Sequence, residues 1–298
     1  MKSKLILSII LAGGLFMACS TDSDSDLDTL TLSLSDVEPL QNDFHFEGWV
    51  IIDGSPVTTG KFNVNDDGEI VSLSGSLIAN GEFSVDADLS AATEFVLTIE
   101  PAGDTDDIPA DTHHLSGDIT DGRSTLSFAH SASLGDDFLS ATGGYILATP
   151  SDDDQNNETS GIWFLDPAGG PGTALSLPTL PAGWRYEGWA VYNGTPITTG
   201  TFTSVSSADD FSGFSGTNST PPFPGEDFLQ NAPSGLNFPI DLSGGTAVIS
   251  IEPYPDDSPD PYTLKPLVGQ IPANASSFTL YSVDNNANTF SSGSVVIN

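Results

Sequence analysis

Basic residues and cysteines are scarce in this 298-residue sequence. Lysine and arginine together number 6 against 41 aspartates and glutamates, which gives a formal net charge of −35 at pH 7. Binding to a phosphate backbone needs basic side chains that displace counterions, so this composition excludes nucleic acid as a partner. A single cysteine excludes a disulfide within the chain. A cation, a basic protein or a neutral glycan remains possible as a ligand. Alternatively, the negative charge serves only to keep the protein soluble.

Long apolar runs are absent after the first residues of the chain. Lys2 and Lys4 precede an apolar run from Leu5 to Ala18, which Cys19 follows directly. A charged start and a short apolar run predict a secretory signal peptide over residues 1–18. The segment before Cys19 resembles a bacterial lipobox, which predicts lipidation of Cys19 and attachment to the membrane through that lipid, with ordinary secretion as the alternative.

An acidic segment follows the cysteine and predicts a flexible tether over residues 19–28. It lacks the apolar side chains that would offset the entropy of ordering it, and its carboxylates are Asp22, Asp24, Asp26 and Asp28. An acidic stretch at this place resembles the outer-membrane sorting signal of some Gram-negative lipoproteins. We therefore expect an outer membrane lipoprotein that is surface-exposed or faces the periplasm.

One sixteen-residue pattern occurs twice in the chain. "EGWVIIDGSPVTTGKF" begins at Glu47, and "EGWAVYNGTPITTGTF" begins at Glu187. Downstream, "FVLTIEPAGD" and "AVISIEPYPD" repeat in the same order. The repetition predicts two related domains, over residues 29–168 and 169–298, joined by the linker sequence "PAGGPG". The second copy carries an insertion that includes Thr217 to Gly235.

The pattern of each copy predicts antiparallel β-structure. Apolar and polar residues alternate in short runs between Gly, Pro, Asn and Asp, without a sustained helical period. The fold class is therefore all-β, with two tandem antiparallel β-sandwich or partly closed barrel domains. The dipeptides Asp53-Gly54 and Asn193-Gly194 predict type I′ hairpin turns, because both tolerate positive φ angles. Gly60 and Gly200 predict a bulge or bend in each returning strand.

At these residues each copy resembles the extracytoplasmic C-terminal domain of anti-sigma-K factors. The shared features are an acidic strand with tryptophan, a Gly-Pro hairpin, a Gly-x-Phe return and a later Glu-Pro strand. Their positions are Glu47, Trp49, Gly54, Pro56, Gly60, Phe62, Thr98, Glu100 and Pro101, and then Glu187, Trp189, Gly194, Pro196, Gly200, Phe202, Ser250, Glu252 and Pro253. The resemblance implies a β-sandwich module used twice outside the cytoplasm. The sigma-binding and membrane-spanning helices of that family have no counterpart here, so we expect no direct inhibition of a sigma factor.

The repeated glutamates allow two interpretations, a catalytic role and a structural role. Glu47 with Glu100, and Glu187 with Glu252, could form the pair of acids that a glycoside hydrolase uses. Alternatively, these acids accept hydrogen bonds from strand ends and turns and serve structure alone. The sequence favours the structural role for the signature of glutamates, tryptophans and glycines, and we expect no enzyme.

Acidic loops after each Glu-Pro segment suggest calcium, which binds six to eight oxygen ligands. The candidate ligands are Asp104, Asp106, Asp107 and Asp111 in the first copy and Asp256, Asp257 and Asp260 in the second. Solvated acidic loops are the simpler alternative, and no other cofactor is indicated. His113 and His114 are neighbours on a predicted strand and point to opposite faces, which disfavours a zinc site formed by the two.

The insertion of the second copy carries the aromatic residues Phe223 and Phe228. Long loops on β scaffolds often bind ligands, so these two residues are candidate contacts for an unknown protein or glycan partner, with a lid over the domain as the alternative. The sequence as a whole predicts a lipid-anchored binding, sensing or structural module. A calcium-assisted glycan-binding or adhesion protein is the second interpretation, and a carboxylate-dependent glycoside hydrolase is the third.

Overall fold

The computed structural model describes residues 28–298, and within this range the fold is all-β. It contains a curled nine-stranded sheet and a nearly closed, barrel-like eight-stranded sheet, so the predicted fold class and two β domains are confirmed. The predicted signal peptide, Cys19 and residues 19–27 of the tether lie outside the described residues. Asp28, the last residue of that predicted tether, begins the first strand.

The strands are numbered here in chain order. The first sheet contains β1 (Asp28–Ser35), β2 (His45–Ile52), β3 (Ser55–Val64), β4 (Ile70–Val71), β5 (Glu82–Val85), β6 (Ala92–Glu100), β7 (His113–Asp118), β8 (Arg123–Ser127) and β19 (Ser292–Ile297). The second sheet contains β9 (Gly143–Leu147), β10 (Gly161–Trp163), β13 (Trp184–Tyr192), β14 (Thr195–Phe202), β15 (Gly225–Asp227), β16 (Thr246–Pro253), β17 (Leu267–Gln270) and β18 (Tyr281–Asn285). A separate small hairpin consists of β11 (Leu165–Asp166) and β12 (Gly172–Thr173), and single 3-10 turns lie at Ala79–Gly81, Leu89–Ala91, Glu158–Ser160 and Ala287–Thr289.

The two sheets exchange one strand each: β9 follows the strands of the first sheet in the chain but lies in the second sheet, and β19 follows the strands of the second sheet but lies in the first. The first sheet begins at the edge strand β4 and continues β3, β2, β6, β7, β8, β19, β1, β5. The second runs β14, β13, β16, β17, β18, β9, β10, β15 and has no strand at the place of β4. The successions are otherwise equivalent, so β19 occupies in the first sheet the place that β9 occupies in the second. β19 pairs with β1 from Leu30↔Ile297 to Ser35↔Ser292 and with β8 on its other side.

Sheet membership differs from the predicted division at residue 168. The range 29–168 would place β9 and β10 with the first sheet, but their hydrogen bonds join them to β18 and β15 of the second. The range 169–298 would place β19 with the second sheet, but it lies within the first. The residues before position 168 therefore contribute strands to the second sheet, and the residues after it contribute a strand to the first.

The repeated sixteen-residue pattern forms a two-residue hairpin in each sheet. Asp53 and Gly54 have φ angles of 51° and 76°, and Asn193 and Gly194 have 50° and 81°. The flanking pairs are Ile52↔Ser55 and Tyr192↔Thr195. Two successive positive φ angles define the type I′ turn that the sequence predicts, and its twist matches the strands that it joins.

The predicted bulge is present in both returning strands. The register passes from Gly48↔Gly60 to Trp49↔Thr58, which leaves Thr59 as the extra residue. The same shift occurs between Gly188 and Trp189 in the second copy. Gly60 and Gly200 have φ angles of 125° and 118°, a conformation that L side chains rarely adopt. The bulge turns the threonine inward beside a glycine of the neighbouring strand.

Gly48→Ala and Gly188→Ala are expected to destabilise the protein. A Cβ atom at Gly48 would collide with the Thr59 hydroxyl and lie 2.9 Å from Cζ of Phe95, and at Gly188 it would collide with Thr199 and lie 2.7 Å from Cε2 of Phe164. Overpacking of this kind costs about 1–3 kcal/mol of unfolding free energy, which urea titration measures. Gly172→Ala is the control, since a Cβ there meets no atom within 4 Å. Equal effects at all three positions would contradict the packing argument.

One continuous hydrophobic core joins the two sheets. Its fully buried side chains include Phe46, Phe62 and Phe95 from the first sheet, Tyr186 from the second, and Phe228 directly after β15. Each is removed from water together with its neighbours, which is the main favourable contribution to folding.

None of the helical segments among residues 28–298 has the length and apolar character needed to cross a membrane.

Candidate functional site

The repeated glutamates and tryptophans form a buried hydrogen-bonded network on one face of each hairpin sheet. In the first copy, Nε1 of Trp49 donates to Oγ1 of Thr98 at 2.9 Å, and the Thr98 hydroxyl donates to Oε1 of Glu100. The Ala110 amide donates to the same Glu100 oxygen at 3.0 Å. The Thr58 hydroxyl, beside the bulge, donates to Glu47. The network ties β2, β3, β6 and the following loop together.

The second copy repeats most of the network, with Ser250 in place of Thr98 and the Tyr262 amide in place of the Ala110 amide. Nε1 of Trp189 donates to Oγ of Ser250 at 2.7 Å, and the Thr198 hydroxyl donates to Glu187. The Tyr262 amide donates to both carboxylate oxygens of Glu252 at 3.0 and 3.1 Å. In both copies the tryptophan donates to a hydroxyl group on the later strand, and each acid accepts hydrogen bonds from a strand or a loop.

Burial separates these glutamates from solvent. Glu47 and Glu100 are each 1% exposed, and Glu187 and Glu252 are 5% and 1% exposed. The strand register places the two acids of a copy diagonally on neighbouring strands of one face. Donors of the network already occupy an oxygen of each of these four carboxylates. The geometry fits the structural interpretation of the signature better than the glycoside hydrolase pair.

The two copies differ in how the first glutamate is neutralised. In the first copy, Nζ of Lys61 lies 3.4 Å from Oε2 of Glu47 and 2.7 Å from Oδ2 of Asp104. The second copy has Thr201 at the place of Lys61 in the strand register. Burial raises the pKa of Glu187 to about 7, and the charges of Asp256 and Asp210 add to the rise.

The structure does not bring the predicted calcium ligands together. Asp106, Asp107 and Asp111 are exposed, and Asp104 turns inward to Lys61. In the second copy, Asp257 is buried and accepts the Gln41 amide at 2.8 Å, whereas Asp256 and Asp260 are exposed. Within residues 28–298, one group of three ligand residues has its ligand atoms within 4.8 Å of one another, and of the seven aspartates it contains Asp104 alone.

His113 and His114 point to different surroundings. Nδ1 of His113 lies 2.6 Å from the Ala132 carbonyl. His114 is fully buried, and its ring nitrogens face the Tyr262 hydroxyl at 3.4 Å and the Ser291 hydroxyl at 3.0 Å. Burial lowers the pKa of His114 to about 3, so this histidine is neutral and joins the two halves of the core.

A pocket opens beside the edge strand β15 of the second sheet. We name it the acidic–aromatic pocket; its cavity has a volume of about 280 Å³. Its lining residues are Trp163, Ala208, Asp209, Asp210, Phe211, Ser212, Ser215, Thr220, Phe223, Gly225 and Glu226. Three segments form it: the loop after β14, the insertion that contains β15, and β10, which contributes Trp163.

Buried hydrogen bonds hold the walls of the pocket. The Gly225 amide donates to Oδ2 of Asp209 at 2.8 Å, which fastens the loop to β15. Asp227 is fully buried, and it accepts Nε1 of Trp163 at 2.7 Å and the Ser151 amide at 2.8 Å. Asp227 therefore fixes the orientation of the indole. Preorganised walls of this kind favour binding, because little entropy is lost when a ligand arrives.

The acids of the pocket carry shifted pKa values. Burial raises the pKa of Asp209 to about 8 and that of Glu226 to about 7. Glu226 is fully buried, and neither of its carboxylate oxygens has a hydrogen-bond partner among the described residues. Strongly shifted acids that line a cleft are typical of binding and catalytic sites.

The insertion contributes one of its two predicted contact residues to the pocket. Phe223 lines the cavity and packs beside Trp163. Phe228 is fully buried instead, with its ring centroid 6.0 Å from that of Phe214 and 5.6 Å from that of Phe238. The prediction of a partner contact is wrong for Phe228, because a ring enclosed by other aromatic rings is unavailable to a partner. The insertion both covers the core and forms the pocket.

The acids of the pocket were not among the predicted site residues. Asp209 belongs to the polar segment "SSADDFSG", and Glu226 lies within the insertion, three residues after Phe223. The useful signal was a carboxylate beside aromatic residues inside the segment that the first copy lacks. Their convergence depends on the pairing of β10 with β15, which the sequence pattern does not specify.

The fold and the pocket define an all-β protein of two strand-exchanged sheets with a concave acidic and aromatic site on the second. Comparison of the chain with protein-family models, curated proteins and solved structures gave no match.

Proposed function

We propose that this chain is a lipid-anchored binding protein of the outer membrane, not an enzyme, and that its acidic–aromatic pocket binds a neutral glycan. The pocket is the observation that carries the proposal. The signal-like residues 1–18 and the position of Cys19 support the anchor. The two β domains act as an anti-sigma-K-like scaffold without direct contact to a sigma factor.

The size and lining of the pocket support a sugar as the ligand. A cavity of about 280 Å³ is small for a ligand pocket, so it suits one sugar unit at the end of a chain. The aromatic walls, formed by Trp163, Phe211 and Phe223, provide apolar surface for the C–H face of a sugar ring. Serine, threonine and carboxyl groups on the remaining walls provide hydrogen bonds to hydroxyl groups.

The shifted pKa values support an uncharged ligand. The raised pKa values favour the protonated forms of Asp209 and Glu226 near neutral pH. A protonated carboxyl both donates and accepts hydrogen bonds, as sugar hydroxyl groups do. An anionic ligand is disfavoured by the charge of −35 on the whole chain.

Phe223→Ala is expected to weaken glycan binding about 30-fold, the effect of losing an aromatic anchor worth ~2 kcal/mol. An array of neutral oligosaccharides, with calcium and with a chelator, identifies the sugar, and calorimetric titration of the purified full-length chain with that sugar gives the affinity. Phe278→Ala is the control, since this phenylalanine is 57% exposed and lies outside the pocket. Binding that is unchanged in Phe223→Ala would contradict the proposal, and binding that requires calcium would favour the calcium-assisted interpretation.

An organic cation is the second candidate ligand, because both oxygens of Glu226 lack hydrogen-bond donors. The pH dependence separates the two candidates. Glycan binding should weaken as the pH rises from 6 to 9, since the acids lose the protons that they donate. Binding of a small alkylammonium ion should strengthen over the same range, because ionised carboxylates attract it.

A further inference from the structure

A second group of polar side chains lies in the first sheet, away from the pocket. His45 and Glu47 are alternate residues of β2 and lie on the same face, and Asp104 follows β6. One ligand atom from each of the three lies within 4.8 Å of the others. We name this group the His45 cluster. The resemblance to anti-sigma-K domains and the predicted calcium loops do not include His45.

Two atoms of the cluster are buried without hydrogen bonds. Nε2 of His45 and Oε2 of Glu47 have no hydrogen-bond partner among the described residues, and the two side chains belong to residues that are 5% and 1% exposed. The nearest cation to this Glu47 oxygen is Nζ of Lys61, at 3.4 Å. This ion pair is longer than an ordinary hydrogen bond, and Nε2 of His45 has no partner at all among the described residues. Buried polar atoms without hydrogen bonds are unfavourable, so the arrangement indicates a missing ligand.

We propose that His45, Glu47 and Asp104 bind a zinc ion, and that Lys61 neutralises the two carboxylates when the metal is absent. An imidazole nitrogen and two carboxylate oxygens form a ligand set that zinc accepts, with a fourth position for water. Calcium prefers six to eight oxygen ligands, and the imidazole argues against it. The proposal is independent of the glycan pocket.

Lys61 can leave the cluster when zinc arrives. Its side chain is 28% exposed, so a rotation moves the ammonium group toward solvent. Its Nζ lies 3.4 Å from Oε2 of Glu47 and 2.7 Å from Oδ2 of Asp104. The ammonium group is therefore bound by the same oxygens that zinc needs, and it competes with the metal.

The second copy provides an internal comparison. Arg185 occupies the place of His45, since both pair with the second glutamate of their copy. Nη1 of Arg185 lies 3.1 Å from Oδ2 of Asp210, and its guanidinium group stacks on Tyr254. A guanidinium group has no lone pair for a metal. Glu187 therefore serves as a matched control that retains the local network without a ligand histidine.

Zinc titration of the purified full-length chain tests the proposal through three variants. His45→Gln removes a direct ligand and should weaken zinc binding by at least roughly 100-fold, since the loss of an outer-shell partner alone costs up to about that much. Lys61→Met keeps the apolar stem and removes the competing ammonium group, so it should tighten zinc binding about tenfold. Glu187→Gln should leave the affinity unchanged. Circular dichroism verifies that each variant is folded.

Cobalt substitution provides a readout that does not depend on stability. Visible absorption bands of Co²⁺ should change on addition of wild-type protein or Lys61→Met and remain those of the aqueous ion with His45→Gln. Zinc binding of equal strength in His45→Gln and wild type would overturn the proposal. Weaker binding in Lys61→Met, or binding of calcium in preference to zinc, would also overturn it.

Discussion

A chain that ends at Ser291 should lose the first sheet, because it lacks β19. This strand lies between β8 and β1 and pairs with both, from Leu30↔Ile297 on one side and from Ser292↔Ser127 on the other. Its removal leaves two ladders unpaired and exposes the core beneath Val295, which is 1% exposed. Hydrogen exchange should show loss of protection in β1 and β8 and retention in β13 and β16.

Point variants separate the loss of the strand from unspecific damage. Val295→Ala removes buried methyl groups and should cost about 2 kcal/mol of unfolding free energy. Val296→Ala, on the opposite face of the same strand and half-buried, should cost less than about 1 kcal/mol. A synthetic peptide of residues 291–298 should restore protection to the truncated chain. An unchanged urea midpoint after truncation would show that β19 contributes nothing to the first sheet.

The melting temperature should rise on the order of 10 °C as the pH falls from 8 to 5. Asp209, Glu226 and Glu187 have folded pKa values of about 8, 7 and 7, above the ordinary values of 3.8, 4.5 and 4.5. Between about pH 4 and 8, the folded protein therefore binds more protons than the unfolded chain, and stability decreases as the pH rises. The three groups together contribute on the order of several kcal/mol to this change.

The trend should reverse below about pH 4. Asp104 has a lowered pKa because Lys61 donates a hydrogen bond to it, so its contribution is lost as acid protonates it. A combined Asp209→Asn, Glu226→Gln and Glu187→Gln variant should flatten the slope between pH 5 and 8. Calorimetry across this range provides the measurement. A melting temperature that increases from pH 5 to 8 would contradict burial of these acids.

Local sequence features predicted the local structure of this protein well. Asp53-Gly54 and Asn193-Gly194 specify turns through positive φ angles that few residues tolerate, and both turns are present. The bulges beside Gly60 and Gly200 follow from the same conformational rule. The alternating pattern predicted strands, and Glu47 and Trp49 lie in the structural network that the sequence favoured.

The partners of the strands could not be predicted from their sequences. The segment from Tyr145 and the segment from Phe278 look alike, yet β9 takes the place equivalent to β19, not β18. Alternation specifies which side chains face the core but not which strand supplies the neighbouring ladder. The acidic–aromatic pocket depends on such a choice, since Asp209 and Glu226 meet through the position of β15.

The His45 cluster could have been predicted from the sequence. His45 and Glu47 are two residues apart in a predicted strand and therefore share a face. Asp104 follows four residues after Glu100, and the register pairs Glu100 with His45. The sequence pattern treats the four aspartates of the first acidic loop alike, whereas in the structure Asp104 alone of the four turns inward to the cluster.

The exchange of β9 and β19 also affects the time at which the protein can fold. A ribosome synthesises the chain from its first residue onward, so β1 and β8 are made long before β19, the strand that lies between them. The first sheet therefore stays open until residues 292–297 have been made. Its maturation is therefore a late and concerted event that ends only when residues 292–297 insert, and early release of the chain leaves both halves incomplete.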